Sequence, residues 1–189
     1  MERVGMFKKV SFNEYKKAFL DTLGEDYLVY LSLLPQRLTE HDSTAVETKI
    51  KEIYDAIKLP KRATSGSAGY DFFAPHLISL APGESIKFPT GIKAEFDNGW
   101  VLQLYPRSGL GFKYRFQLDN VVGIIDSDYV NSDNEGHIFA KFTNDSREKK
   151  SVEVEQGQGY MQGIFLPFGI TLDDDADGIR NGGFGSTTR

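Results

Sequence analysis

An all-β sandwich or barrel carrying an N-terminal helical insertion is the fold this sequence predicts, on three observations. Past about residue 58 the chain is cut by dense turn signals: Pro82-Gly83, Asp97-Asn98-Gly99, Asn144-Asp145-Ser146 and Gln156-Gly157-Gln158-Gly159. Between them lie short apolar runs at 85–88, 100–105, 137–142 and 163–168, the length of strands rather than helices. Before residue 58 the apolar residues recur at helical spacing instead. Short strands at this density belong to sandwiches and barrels.

In chain order, residues 4–10 read as a first strand. Ser11-Phe-Asn-Glu14 is a capping-box signature, and Phe12, Tyr15, Phe19 and Leu23 follow at helical spacing up to Gly24. Residues 27–34 form a short apolar run stopped by Pro35, read as a buried helix. Thr44-Ala-Val-Glu47 repeats the capping box, with Val46, Ile50, Ile53 and Ile57 on one face until Leu59-Pro60 ends the helix. The expected organisation is a first strand over 1–10, a helical insertion over 11–57, a β domain over 58–172 and a flexible arm over 173–189. The insertion reads as packing on the β domain, or as a surface for a protein partner.

A chain of 189 residues suits one domain with an appendage. With no cysteine, disulfides, thiolate zinc sites and cysteine nucleophiles are excluded. The net charge of −5 argues against a broad nucleic-acid surface, although a few placed arginines can still bind a small anion. No apolar run approaches the ~20 residues of a membrane helix, and MERVGMFKKV lacks the apolar core of a signal peptide. A soluble, cytoplasmic protein is expected. His41, His76 and His137 have no ligand spacing for zinc. The acidic run 173–177 starts like a calcium loop but has Phe184 where a bidentate Glu is required. It reads as a solvated tether.

Four stretches carry chemistry, and each alone also has a plain reading: turn structure for the first three, a disordered end for the tail. In SGSAGYDFFAP (65–75), small residues permit close backbone approach ahead of Asp71. In YPRSGLGF (105–112), Arg107, Ser108 and Gly109 assemble the donors of a phosphate grip. In LDNVVGIIDSDYVNSDNEGHI (118–138), Asn120 and Asp126 flank an apolar hairpin containing Gly123, and an Asp so held can orient a water as general base. In the tail GIRNGGFGSTTR (178–189), Arg180, Phe184, Ser186 and Thr187 surround Gly182-Gly183 like a phosphate cradle topped by an aromatic.

Together and in this order, these stretches resemble the five motifs of the trimeric all-β dUTPases (dUTP diphosphatases). The pieces are SAGYD at 67–71, PRSG at 106–109, N-x-x-G-x-I-D-x-D-Y at 120–129, G-x-x-x-x-Q at 157–162 and GGFGST at 182–187. The resemblance implies a dUTPase-like jelly roll or distorted β-barrel and hydrolysis of dUTP to dUMP and pyrophosphate. It implies that Asp126 activates the attacking water. Asn120 and the backbone through Gly123, Ile124 and Ile125 would bind uracil, and Tyr129 would pack under the deoxyribose and exclude a 2′-hydroxyl. Arg107, Ser108, Gly109 and Gln162 would hold phosphates. Asp71 would orient waters on Mg2+. Arg180, Phe184, Gly185, Ser186 and Thr187 would close over the nucleotide from a neighbouring subunit of a homotrimer with shared sites.

Three departures stand out. Gly159 occupies a place where the family often has a basic residue, and Arg180 lies one residue closer to the glycines than is usual. Residues 130–134 are expected to lengthen a hairpin tip. Two rivals share the scaffold, dCTP deaminase and a nucleotide-binding regulatory protein. The first typically reads R-S-S where this chain has Arg107-Ser108-Gly109.

Overall fold

The computed structural model describes residues 2–31 and 43–180. Strand β1 (Gly5–Lys9) leads into helix α1 (Phe12–Thr22), the short helix α2 (Asp26–Tyr30) and helix α3 (Ser43–Ala56). The β-rich part follows: β2 (Tyr70–Phe73), β3 (Ile78–Leu80), β4 (Ser85–Pro89), β5 (Ile92–Phe96) and β6 (Trp100–Pro106). After helix α4 (Ser108–Tyr114) come β7 (Phe116–Leu118), β8 (Gly123–Ile125), a 3-10 turn (Ser127–Asn131), β9 (Phe139–Asn144), β10 (Val152–Val154) and β11 (Gly159–Pro167).

All pairings are antiparallel, and the described strands form four open sheets rather than one closed barrel. The largest has the order β2-β11-β6-β8, so strands distant in sequence become neighbours. A three-stranded sheet β4-β9-β7 and the pairs β1-β5 and β10-β3 complete the set. Buried aromatics fill the space between sheets: Phe116 stacks on Phe142 at 4.3 Å between centroids, and Tyr160 contacts Phe88 and Phe142 at 5.4 and 5.5 Å. Each such side chain contributes about 1.5–3 kcal/mol by leaving water.

The helices are fixed by the residues that predict them. Ser11 caps α1, its side chain accepting from Glu14 N–H. Tyr15, Phe19, Leu28, Val46, Ile50, Ile53 and Ile57 are buried, so the apolar stripes of α1 and α3 face the common core. Gly91, in the β4–β5 turn at φ +74, marks the closest approach: a Cβ there would lie 2.3 Å from Ile57 Cδ1. Two expectations need correction. Thr44 already lies inside α3 instead of capping it. The helix expected over 27–34 is the shorter α2, starting at Asp26; residues 32–34 lie outside the described residues.

Candidate active site

Strand β6 is the spine of the site. Its C-terminal end delivers Arg107 and α4, with β11 on one side and β8 on the other. Arg107 sits at the N-cap of α4 with extended backbone, so PRSG ends a strand and opens a helix. Arg107, Ser108 and Gly109 are exposed, and the first-turn N–H groups of a helix have no acceptor inside it.

Register brings three motifs together here. Gln162 on β11 pairs with Asp71 on β2 and with Tyr105 on β6. Arg107 Nε lies 3.3 Å from Asp71 Oδ1, and one of its terminal nitrogens donates to Gly159 O at 3.4 Å. Gln162 Nε2 donates to Pro106 O at 3.4 Å. Two glycines lie against these flexible side-chain ends: a Cβ on Gly69 would be 2.9 Å from Gln162 Oε1, and one on Gly159 would be 2.6 Å from the Arg107 guanidinium. An open cavity of about 480 Å3 beside this cluster is lined by Tyr105, Arg107, Ser108, Phe112 and Gln162.

The third motif lies on the other side of β6. Its 120–126 segment is not a paired hairpin: β7 pairs with β9, while β8 pairs with β6. Gly123 fits against Leu104, where a Cβ would sit 3.0 Å from Leu104 Cβ. Asn120 and Gly123 line a cavity of about 270 Å3 whose apolar walls include Leu104, Leu118 and Phe139. Ile124 is half exposed at 49% and Ile125 is buried. Residues 130–134 do not extend a hairpin tip either; they belong to the 3-10 turn and the bends after it.

Asp126 is exposed at the end of β8, and Tyr129 is buried, its hydroxyl donating to His137 O at 2.9 Å. Burial pushes the Tyr129 phenol pKa up, so it stays neutral. Arg180 folds back on its own chain. It contacts Asp126, donates to Asp128 Oδ1 at 2.8 Å and lies 5.8 Å from the Tyr129 ring centre. Asp128, which is not among the residues the motifs predict for the site, stands in the same I-D-x-D-Y string. Phe184, Gly185, Ser186 and Thr187 lie outside the described residues.

The described site residues thus fall into two groups along β6. Leu102 pairs with Ile125, and Arg107 directly follows the far end of the strand at Pro106. At ~3.3 Å per residue, Asp126 and Arg107 stand roughly 15–20 Å apart within one chain.

Comparison with known proteins gives this arrangement a family. The dUTPase family model matches residues 55–188. The deoxyuridine 5'-triphosphate nucleotidohydrolase of Lactococcus lactis subsp. lactis is 45% identical over 145 residues, covering 75% of this chain and 94% of that protein. Its namesake from Chromobacterium violaceum is 38% identical over 152 residues, covering 76% and 97%. Among solved structures, the dUTPase of Streptococcus mutans aligns with a TM-score of 0.53 at 41% identity, over 60% of this chain and 88% of that one. A mutant dUTPase from phage phi11 of S. aureus shares the fold at 19% identity and a TM-score of 0.54, over 66% and 92%. The relatives' names define a class of nucleotide hydrolases. This chain belongs to the dUTPase family.

Proposed function

We propose that this dUTP-hydrolysing enzyme cleaves its substrate by in-line attack of water on the α-phosphorus, with Asp126 as the general base. A carboxylate oxygen of Asp126 accepts the water proton as the new P–O bond forms. The α,β-anhydride bond breaks, and pyrophosphate leaves dUMP. Asn120 and the backbone of residues 123–125 hydrogen-bond uracil beside the 270 Å3 cavity. A fixed edge suited to uracil leaves cytosine mispaired, which discriminates by ~10⁴ or more when buried. Tyr129 packs under the deoxyribose, leaving no room for a 2′-hydroxyl. Arg107, Ser108, Gly109 and Gln162 hold the phosphates, Arg107 exchanging Asp71 for phosphate oxygens. Arg180, with Phe184, Gly185, Ser186 and Thr187 on the 173–189 arm, covers the nucleotide.

The donor set suits Mg2+. Asp71 is one partly exposed carboxylate at the phosphate grip, and no cage of three or more His, Asp or Glu side chains forms among the described residues. Mg2+ keeps several waters and binds through one or two carboxylates plus substrate phosphates, so Asp71 would hold it through water. When bound, it supplies charge neutralisation on the triphosphate. The phage phi11 dUTPase coordinates a structural Mg(II) ion.

The observation that carries the reading is the separation along β6. A base and a phosphate grip roughly 15–20 Å apart in one chain do not serve the same α-phosphorus. Sites shared between copies of a homotrimer resolve this, the Asp126 group of one copy facing the Arg107 group of another.

The test is pyrophosphate and ammonia release from dUTP, dCTP, dTTP and UTP, with and without EDTA. Pyrophosphate from dUTP alone, lost with EDTA, is expected. Ammonia from dCTP would replace this reading with deamination, and an inert protein that binds dUTP would replace it with regulation.

A further inference from the structure

We propose that helix α1 positions the catalytic loop, acting through Glu14 and His137. The proposal rests on the roles given above to Asp126 and Tyr129. Ser11 and Glu14 both lie outside the 55–188 span matched by the family model.

The capping box of α1 is redirected. A Glu at the third helical position ordinarily reaches back to the N-cap N–H. Here that N–H donates instead to Glu135 Oε2 at 2.9 Å, and Ser11 Oγ donates to Glu135 Oε1 at 2.5 Å. Glu14 is thereby released to accept from His137 Nδ1 at 3.0 Å. The tautomer follows from the other nitrogen. Gly91 N–H donates to His137 Nε2 at 2.9 Å, so the ring proton sits on Nδ1 and points at Glu14. The His137 ring is fully buried, and burial outweighs Glu14 in lowering its pKa, which keeps it neutral.

His137 and Glu135 close the loop that begins at Asp126. The His137 carbonyl accepts from the Tyr129 hydroxyl, and Asn134 Nδ2 donates to that hydroxyl at 3.0 Å and to the same carbonyl at 3.3 Å. Glu135 and Gly136 are both left-handed, at φ +58 and +72. Gly136 is pressed so closely on residues 129–130 that a Cβ would lie 2.6 Å from Val130 Cα. Moving His137 therefore moves the Tyr129 ring, on which the deoxyribose is to rest. A helix that merely covered the sheet would need neither contact. The two contacts tie α1 to Glu135 and His137, on either side of Gly136 in this one loop.

Steady-state kinetics of the full chain on dUTP and UTP test the idea. Glu14→Ala leaves Nδ1–H buried without its acceptor, and we expect kcat/KM for dUTP to fall roughly tenfold, with a similar narrowing of the preference over UTP. Glu14→Gln still offers an oxygen to Nδ1–H and should return both values to within about threefold of wild type. A merely structural role would lower Tm and leave the nucleotide preference alone. A Glu14→Ala protein with wild-type kinetics and preference overturns the proposal, as does failure of Glu14→Gln to rescue. If the alanine variant does not fold, Glu14→Asp, too short to reach His137, is read the same way. A wild-type enzyme with no preference for dUTP over UTP instead overturns the functional reading, and this inference with it.

Discussion

Burial strips the His76 ring of solvent and pushes its pKa down to about 4. Nδ1 lies 2.9 Å from Leu77 O and 3.2 Å from Tyr27 Oη, while Nε2 finds no partner among the described residues. An unfolded His titrates near 6.5, so between that pH and about 4 the unfolded chain binds the extra proton. The stabilisation from a neutral His76 is complete above the unfolded value and is lost as pH falls toward 4, amounting to about 3 kcal/mol. Thermal melts from pH 7 to 4.5 should show Tm falling, with a shallower fall in His76→Phe. An identical slope in both proteins would assign the loss to other groups. At this scale the sequence names chemistry-bearing side chains directly, and the fold brings two of them, Asp71 and Arg107, within 3.3 Å of each other. The sequence is least readable where a contact is set by distant packing. Nothing near Gly159 in the chain announces that Arg107 lies over it, and His137 shows no spacing that points to Glu14.

At the scale of elements, periodicity located β1, α1, α3, β4, β6 and β11 to within a few residues. Short elements escaped it. Residues 120–126 looked like a hairpin because two apolar stretches flank a glycine, but pairing is decided by partners: β6 takes β8, and β9 takes β7. The helix α4 was hidden behind Gly109 and Gly111, which favour a turn on local grounds. The C-terminal arm gives an element-scale prediction. Residues 168–179 are exposed, and Arg180 reaches the Asp126 carboxylate. Truncation after Asp177 should lower kcat at least about tenfold and leave the oligomer intact by gel filtration, as expected of a lid. Normal turnover by the truncated protein would remove the arm from the mechanism.

For the whole molecule, the alternation of turns and short runs was enough to predict a β-rich fold. Which of the described strands pair, and so where the sheets remain open, depends on long-range register that short local runs do not state. The separation of Asp126 from Arg107 along β6 makes a prediction about assembly. Asp126→Asn and Arg107→Ala should each be nearly inactive alone. On the proposed shared-site trimer, coexpression gives mixed assemblies in which about a quarter of sites combine both intact groups, so activity should return to that order. Sites confined to one copy would yield no recovery.

The contact of Arg180 with Asp126 and Asp128 has a consequence for the reaction cycle. On the proposed mechanism the guanidinium leaves two carboxylates for phosphate oxygens, so it moves from one anionic partner to another and is never stranded without one. The arm then releases the base only when a nucleotide offers its arginine another anionic partner.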